Sequence, residues 1–197
     1  QIGIPKSYTI KKDTIFQPKL SKPIVFYGTS ISQGACASRA GMAYPSILGR
    51  KLGVEVINLG FSGNGKLEPA LQDLLAQIDA AMYVIDCHRN TSKEEAQTHI
   101  EFAIRKIRKA QPTAPIIVIE GSSPSRDFPT EEGIISQQII KKLKREGFRN
   151  LYYLQGDQLL GQDTEGTVDL VHPTDLGLQR YATYLLPFFK KMVKKCK

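Results

Sequence analysis

Five short, largely apolar runs limit what this chain can fold into. They occupy residues 24–27, 54–58, 82–86, 116–120 and 151–154. Each is rich in β-branched or aromatic residues; apart from Glu55, polar residues stand only at the ends, as Asn58, Asp86 and Glu120. Runs of this length and kind read as strands buried on both faces, the pattern of a parallel sheet. Helical stripes lie between them. Over 67–78 the stripe is Leu67, Leu71, Leu74, Leu75 and Ile78; over 92–110 it is Ala96, Ile100, Ala103, Ile104 and Ile107. Ser92 and Glu95 have the spacing of a capping box, and Pro45 suits an early helical turn before Ile47 and Leu48. A further stripe contains Ile134, Ile135, Ile139 and Leu143 and stops at Gly147. A last helix is expected from about Thr174 into the basic tail. Strand–helix alternation of this kind predicts an α/β fold: a three-layer α/β/α sandwich around a parallel sheet of about five strands. Right-handed crossovers bring every strand's C-terminal end to one edge, where such folds bind ligands.

The bulk properties remove several alternatives. The chain has 197 residues, enough for one domain with its own core. No apolar run approaches the ~18 residues of a membrane span. The net charge of +8 comes largely from 93–109 and from Lys190, Lys191, Lys194, Lys195 and Lys197. These read as solvated helix faces. No zinc-finger spacing or RNA-binding aromatic signature accompanies them, so no nucleic-acid partner is expected. Cys36, Cys87 and Cys196 are odd in number and not at ligand spacing. No disulfide framework, metal site or cofactor is expected. Residues 1–22 contain Gly3, Pro5, Pro18 and Lys11-Lys12 without periodicity. They read as a linker or the remnant of an upstream domain, with the folded domain at 23–197. No basic-then-apolar leader is present at Gln1.

The strand ends hold the chemistry-bearing residues. The first strand is followed by Gly28-Thr29-Ser30-Ile31-Ser32-Gln33-Gly34, and the second by Gly60-Phe61-Ser62-Gly63-Asn64-Gly65. The third ends in Asp86-Cys87-His88-Arg89-Asn90. Beyond the fifth, a polar loop leads to Asp169-Leu170-Val171-His172-Pro173. No P-loop, no G-x-G-x-x-G and no G-x-S-x-G elbow is present.

Taken together, these segments resemble the SGNH/GDSL hydrolases over residues 23 to about 192. That family carries its nucleophile in a Gly-Asp-Ser segment after the first strand. A Gly follows the second strand, an Asn the third, and Asp-x-x-His lies near the C-terminus. The resemblance implies the flavodoxin-like SGNH fold, with Ser30 as nucleophile and Asp169 and His172 as its partners. It also implies an oxyanion hole from the N–H groups of Ser30 and Gly63 and the Asn90 amide. Thr29 stands where the family has Asp, and Cys87-His88-Arg89-Asn90 replaces its Gly-x-Asn-Asp. Thr29, His88 and Arg89 are expected near the substrate pocket. Gly60 competes with Gly63 as a donor, and Ser32 and Ser62 are rivals to Ser30. The segment 28–39 is similar to secreted bacterial members that often carry an upstream β-sandwich domain, which implies a secreted or periplasmic setting.

A serine hydroxyl needs a base within hydrogen-bond reach, and a carboxylate fixes the base's tautomer. The expected activity is hydrolysis of a carboxylic ester through an acyl-enzyme, with removal of acetate from a carbohydrate as the leading substrate class. A lipase, lysophospholipase or thioesterase is the enzyme alternative. A non-catalytic carbohydrate-binding relic of the fold is the alternative of another class.

Overall fold

The computed structural model describes residues 3–11 and 15–196. Part of the leading segment and Lys197 of the basic tail lie outside them. Five strands, β1 Ile24–Gly28, β2 Val56–Gly60, β3 Met82–Asp86, β4 Ile116–Ile119 and β5 Leu151–Leu154, form one sheet in the order β2-β1-β3-β4-β5, with every pair parallel. The helices are α1 Ser30–Gln33, α2 Tyr44–Leu52, α3 Pro69–Gln77, α4 Lys93–Ala110, α5 Glu131–Arg145 and α6 Asp175–Lys195.

Side-chain alternation along the strands divides the core between the two faces. Ile24, Phe26, Met82 and Val84 pack against Ile47 and Leu48 of α2 and Leu185 and Phe189 of α6. Val25, Tyr27, Tyr83 and Ile85 pack against Leu75 of α3, Ile100 and Ile104 of α4 and Leu143 of α5. The expected three-layer α/β/α architecture is therefore present. The Ser92–Glu95 capping box opens α4, with Glu95 N–H donating to Ser92 Oγ at 3.1 Å and Ser92 N–H to Glu95 Oε2 at 2.8 Å.

The second strand runs two residues later than its apolar run suggests. The C-terminal cap of α2 takes Gly53, in the left-handed region at φ 67°, and Val54 N–H donates to the Gly49 carbonyl. The strand then continues through Asn58 to Gly60. That shift places Gly60 and Asp86 level with Gly28, so three strands end together beside the β1–α1 turn. Asn58 is a polar residue inside a strand because its amide donates to the Ser32 carbonyl of α1 at 2.7 Å and accepts from Gly60 N–H at 3.0 Å.

Residues 4–16 expose Ile4, Tyr8, Ile10, Ile15 and Phe16. Lys19 N–H donates to the Gly53 carbonyl, and Leu20 enters the core. A cleft of about 550 Å³ lies at the opposite edge of the sheet from the β1–α1 turn, between residues such as Ala81, Pro115 and Met192.

Beneath the β1–α1 turn lies an unpaired carboxylate. Asp86 is 1% exposed and accepts from Tyr44 Oη at 2.8 Å, Tyr181 Oη at 3.0 Å and Ser32 Oγ at 3.1 Å. The two tyrosine rings stack 4.2 Å apart. Burial pushes both tyrosine hydroxyls well above their usual range, so they stay protonated donors. Desolvation also outweighs the three hydrogen bonds at Asp86 and raises its pKa from 3.8 to about 6. The folded state therefore holds this proton more tightly than the unfolded chain. Asp86 contributes stability below about pH 4 that is lost as pH rises through about 6, by up to about 3 kcal/mol. Asp86→Asn removes this titration. Urea midpoints measured from pH 4 to 7 should show wild type losing ground against the variant as pH rises, by an amount of that order. A constant difference between the two proteins would contradict this account of Asp86.

Candidate active site

Ser30 is the first residue of α1, directly after β1 and Thr29. Thr29 is extended and caps the helix, its hydroxyl accepting from Ile31 N–H at 3.2 Å. It is 1% exposed, so its side chain orders the turn from within. The hydroxyl thus supplies a capping oxygen where the Gly-Asp-Ser signature has a carboxylate.

Ser30 Oγ lies 3.0 Å from His172 Nε2, across 142 residues of sequence. His172 Nδ1 lies 2.7 Å from Asp169 Oδ2. A carboxylate only accepts, so Nδ1 carries the proton, which leaves the Nε2 lone pair to receive the Ser30 hydroxyl. The other carboxylate oxygen accepts from His172 N–H at 2.6 Å and from Val171 N–H at 2.9 Å. These bonds, led by the His172 backbone and ring, hold the Asp169 pKa down at about 2, so it is ionised at neutral pH. The sequence thus places a hydroxyl, an imidazole and a carboxylate in one line, the arrangement that nucleophilic attack by a serine requires. The rim is open: the His172 and Asp169 side chains are 31% and 48% exposed.

The Asp169–His172 turn is braced on several sides. Leu170 sits in the left-handed region at φ 65°, uncommon for a branched side chain. Its carbonyl accepts from Ser123 Oγ at 3.0 Å, and Ser123 is 5% exposed in the loop after β4. Val168 N–H donates to the His172 carbonyl, Thr174 caps α6, and Asp175 accepts from Ser38 N–H and Oγ at 2.9 and 2.5 Å. The last helix, expected from about Thr174, runs from Asp175 to Lys195, whereas Ser38, Ser123 and Asp175 carry no motif and their contacts were not legible in the sequence.

The loop after β2 returns to the β1–α1 turn, with Phe61 N–H donating to the Gly28 carbonyl at 2.9 Å. Residues 61–64 then turn back, Asn64 N–H donating to the Phe61 carbonyl, with Gly63 at φ 70° in the position that demands glycine. Among the described residues the Gly63 N–H has no intramolecular acceptor, while the Gly60 N–H is taken by Asn58. The Asn90 amide donates to the Phe61 carbonyl at 3.3 Å and so joins the loops after β2 and β3. Ser32, a rival nucleophile, is fully buried on Asp86, and Ser62 is exposed.

His88 is placed differently from the pocket position expected for it. It is 2% exposed. Nδ1 donates to the Ile119 carbonyl at 2.9 Å and Nε2 accepts from Ser136 Oγ at 2.8 Å. Burial pushes its pKa down, so the ring is a neutral bridge between β4 and α5. The run Cys87-His88 carries its side chains inward because it continues a central strand. Burial pushes the Cys87 thiol far above its ordinary range, which removes it as a nucleophile. Arg89 is half-buried at the rim. Among the described residues no group of three or more His, Cys, Asp or Glu side chains is arranged to hold a metal, and no helix is long and apolar enough to cross a membrane.

The Ser123 hydroxyl fixes the Leu170 carbonyl and, through the turn, the aim of His172. Ser123→Ala should slow the reaction of Ser30 with 4-nitrophenyl acetate about tenfold, equivalent to about 1.4 kcal/mol. Ser123→Thr should restore most of it. An alanine variant as fast as wild type would remove Ser123 from this role.

The model of the GDSL-like Lipase/Acylhydrolase family matches residues 21–190. No curated protein matches the chain. A structure described as a GDSL-like lipase from Bacteroides ovatus is 38% identical, with a TM-score of 0.83, over 90% of this chain and 55% of that one. The salicylyl-acyltransferase SsfX3 of a tetracycline biosynthetic pathway is 21% identical, with a TM-score of 0.74, over 89% of this chain and 55% of that one. A family two carbohydrate esterase from Clostridium thermocellum, in complex with cellohexaose, is 18% identical, with a TM-score of 0.71, over 90% of this chain and 66% of that one. The last two likenesses show the fold alone, and the chain spans between about half and two thirds of these structures. With the family model covering most of its length, the chain belongs to the GDSL-like lipase/acylhydrolase family.

Proposed function

We propose that this protein is a serine esterase that removes a short acyl group, acetate foremost, from a carbohydrate. The observation that carries the reading is the continuous line Ser30 Oγ–His172 Nε2–His172 Nδ1–Asp169 Oδ2, with steps of 3.0 and 2.7 Å. His172 takes the Ser30 proton as Oγ attacks the ester carbonyl, and ionised Asp169 stabilises the imidazolium that forms. The imidazolium returns that proton to the leaving alcohol as the C–O bond breaks. Water then attacks the acyl-enzyme by the same route and releases the acid.

The oxyanion of each tetrahedral intermediate falls to the N–H groups of Ser30 and Gly63 and to the Asn90 amide. The unoccupied Gly63 N–H supports its choice over Gly60. The tie between Asn90 and Phe61 supports a shared position for the last two donors. The carbohydrate part of the reading is supported by structures of the same fold: the cellohexaose-bound esterase, and a two-domain esterase active on acetylated mannans with a TM-score of 0.68. A long-chain lipase is the second reading, and one observation favours it: Phe61, Val168 and Leu170 expose apolar surface on the loops that carry the site.

A 4-nitrophenyl ester series from acetate to dodecanoate separates the two readings. The proposal predicts that kcat/KM is highest for acetate or propionate. A maximum at long chains would replace it with the lipase reading. In the same assay Ser30→Ala should remove nearly all turnover. Asn90→Ala should lose about 10²–10³ in kcat, the usual cost of one oxyanion donor. A loss below about threefold would remove Asn90 from the oxyanion hole.

A further inference from the structure

Arg89 lies between His88 and Asn90 on the loop leaving β3. Its side chain runs through a trough made by a missing one: a Cβ on Gly121, just past β4, would stand 2.7 Å from Arg89 Cγ and 3.0 Å from Cδ. Its Nε is sealed from solvent without an acceptor. Among the described residues its guanidinium takes part in no hydrogen bond or ion pair. The Ser122 hydroxyl, beside Gly121 and fully buried, is likewise without a partner.

Three charged groups act on this guanidinium: Arg126, Glu132 and Asp169. Arg126 repels it. Glu132 is already paired with Arg126 at 3.1 Å. Asp169 already carries the His172 ring and two backbone N–H groups. Neither carboxylate is left as a full counter-ion. Removing a guanidinium from water without a counter-charge is costly, and desolvation is the main influence on Arg89. Surface arginines are ordinarily solvated or paired; Arg89 is half-buried and unpaired, at the edge where the triad stands. Such uncompensated charges collect at binding sites.

We propose that Arg89 receives a carboxylate of the substrate, so that the enzyme selects esters bearing an acidic group beside the scissile bond. The inference rests on the esterase reading and deepens it. A guanidinium presents a planar fork of donors that matches a carboxylate bidentately. Asn90, the assigned oxyanion donor, is the next residue, and consecutive Cα atoms are about 3.8 Å apart. A carboxylate held by Arg89 would therefore sit at the loop that also carries this donor, within the electrostatic reach of Asp169. It belongs either to the acyl part, as in a half-ester of a dicarboxylic acid, or to the alcohol part, as in an acylated uronic acid.

Two matched pairs test this and separate the sources. Mono-4-nitrophenyl succinate is compared with 4-nitrophenyl pentanoate for the acyl side. Acetylated methyl glucuronoside is compared with acetylated methyl glucoside for the alcohol side. In one pair wild type should favour the charged member by about tenfold or more in kcat/KM. Arg89→Gln should bring that ratio to about one. Arg89→Lys keeps the charge but not the fork, should lower the ratio at least about threefold, and carries the test alone if the glutamine variant does not fold. The inference is overturned if wild type shows no preference in either pair, or if both variants keep the wild-type ratio. Hydrolysis of the neutral members without preference overturns this inference and leaves the esterase reading standing. Turnover of none of the four esters removes both.

Discussion

The contact between Ser30 and His172 joins residues 142 apart at 3.0 Å, and the rest of the molecule is arranged to hold it there. One side is fixed by the sheet. Gly28, Gly60 and Asp86 end level, and α1 is pinned by the Thr29 cap, by Asn58 on the Ser32 carbonyl and by Ser32 on Asp86. The other side is a loop, which has no ladder to set its position. It is held by the anchored start of α6, the strained Leu170 and the Ser123 hydrogen bond. A serine is only as nucleophilic as this distance allows, because proton transfer to the base requires hydrogen-bond reach.

Buried polar clusters do much of the holding. Besides Asp86, Glu120 at the end of β4 is fully buried and accepts from Thr130 N–H at 2.5 Å, Thr130 Oγ1 at 2.7 Å and Gly156 N–H at 3.3 Å. His88 ties β4 to α5 in the same layer. Apolar packing tolerates sliding, whereas hydrogen-bonded clusters in low dielectric fix one geometry. The sheet edge under the site is therefore braced by directional contacts, and the apolar core takes over farther down the strands.

Most of the fold was legible because buried parallel strands write themselves as continuous apolar runs and the covering helices as stripes. The one displaced strand, β2, shows the limit: Val54 looks like strand in sequence, but the α2 cap consumes it. For the site, Ser30, Asp169 and His172 were legible from their segments at strand ends, and the structure brings all three together. The side-chain direction of His88 was not, because a residue just past a strand can turn to the rim or to the interior. Ser123, Ser38 and Asp175 were invisible for another reason: each acts through a contact between loops distant in sequence, and no local pattern encodes it. Asp86 had a signal, a carboxylate closing an apolar run, although its three hydroxyl partners come from three separate elements.

Ser30 Oγ, poised by His172 and Asp169, is the atom proposed to attack the ester. Reaction of the intact protein with a fluorophosphonate, followed by peptide mapping, tests it directly. The account predicts one adduct, on Ser30, that is lost in His172→Ala. An unlabelled protein, or an adduct on Ser32 or Ser62 instead, would contradict it.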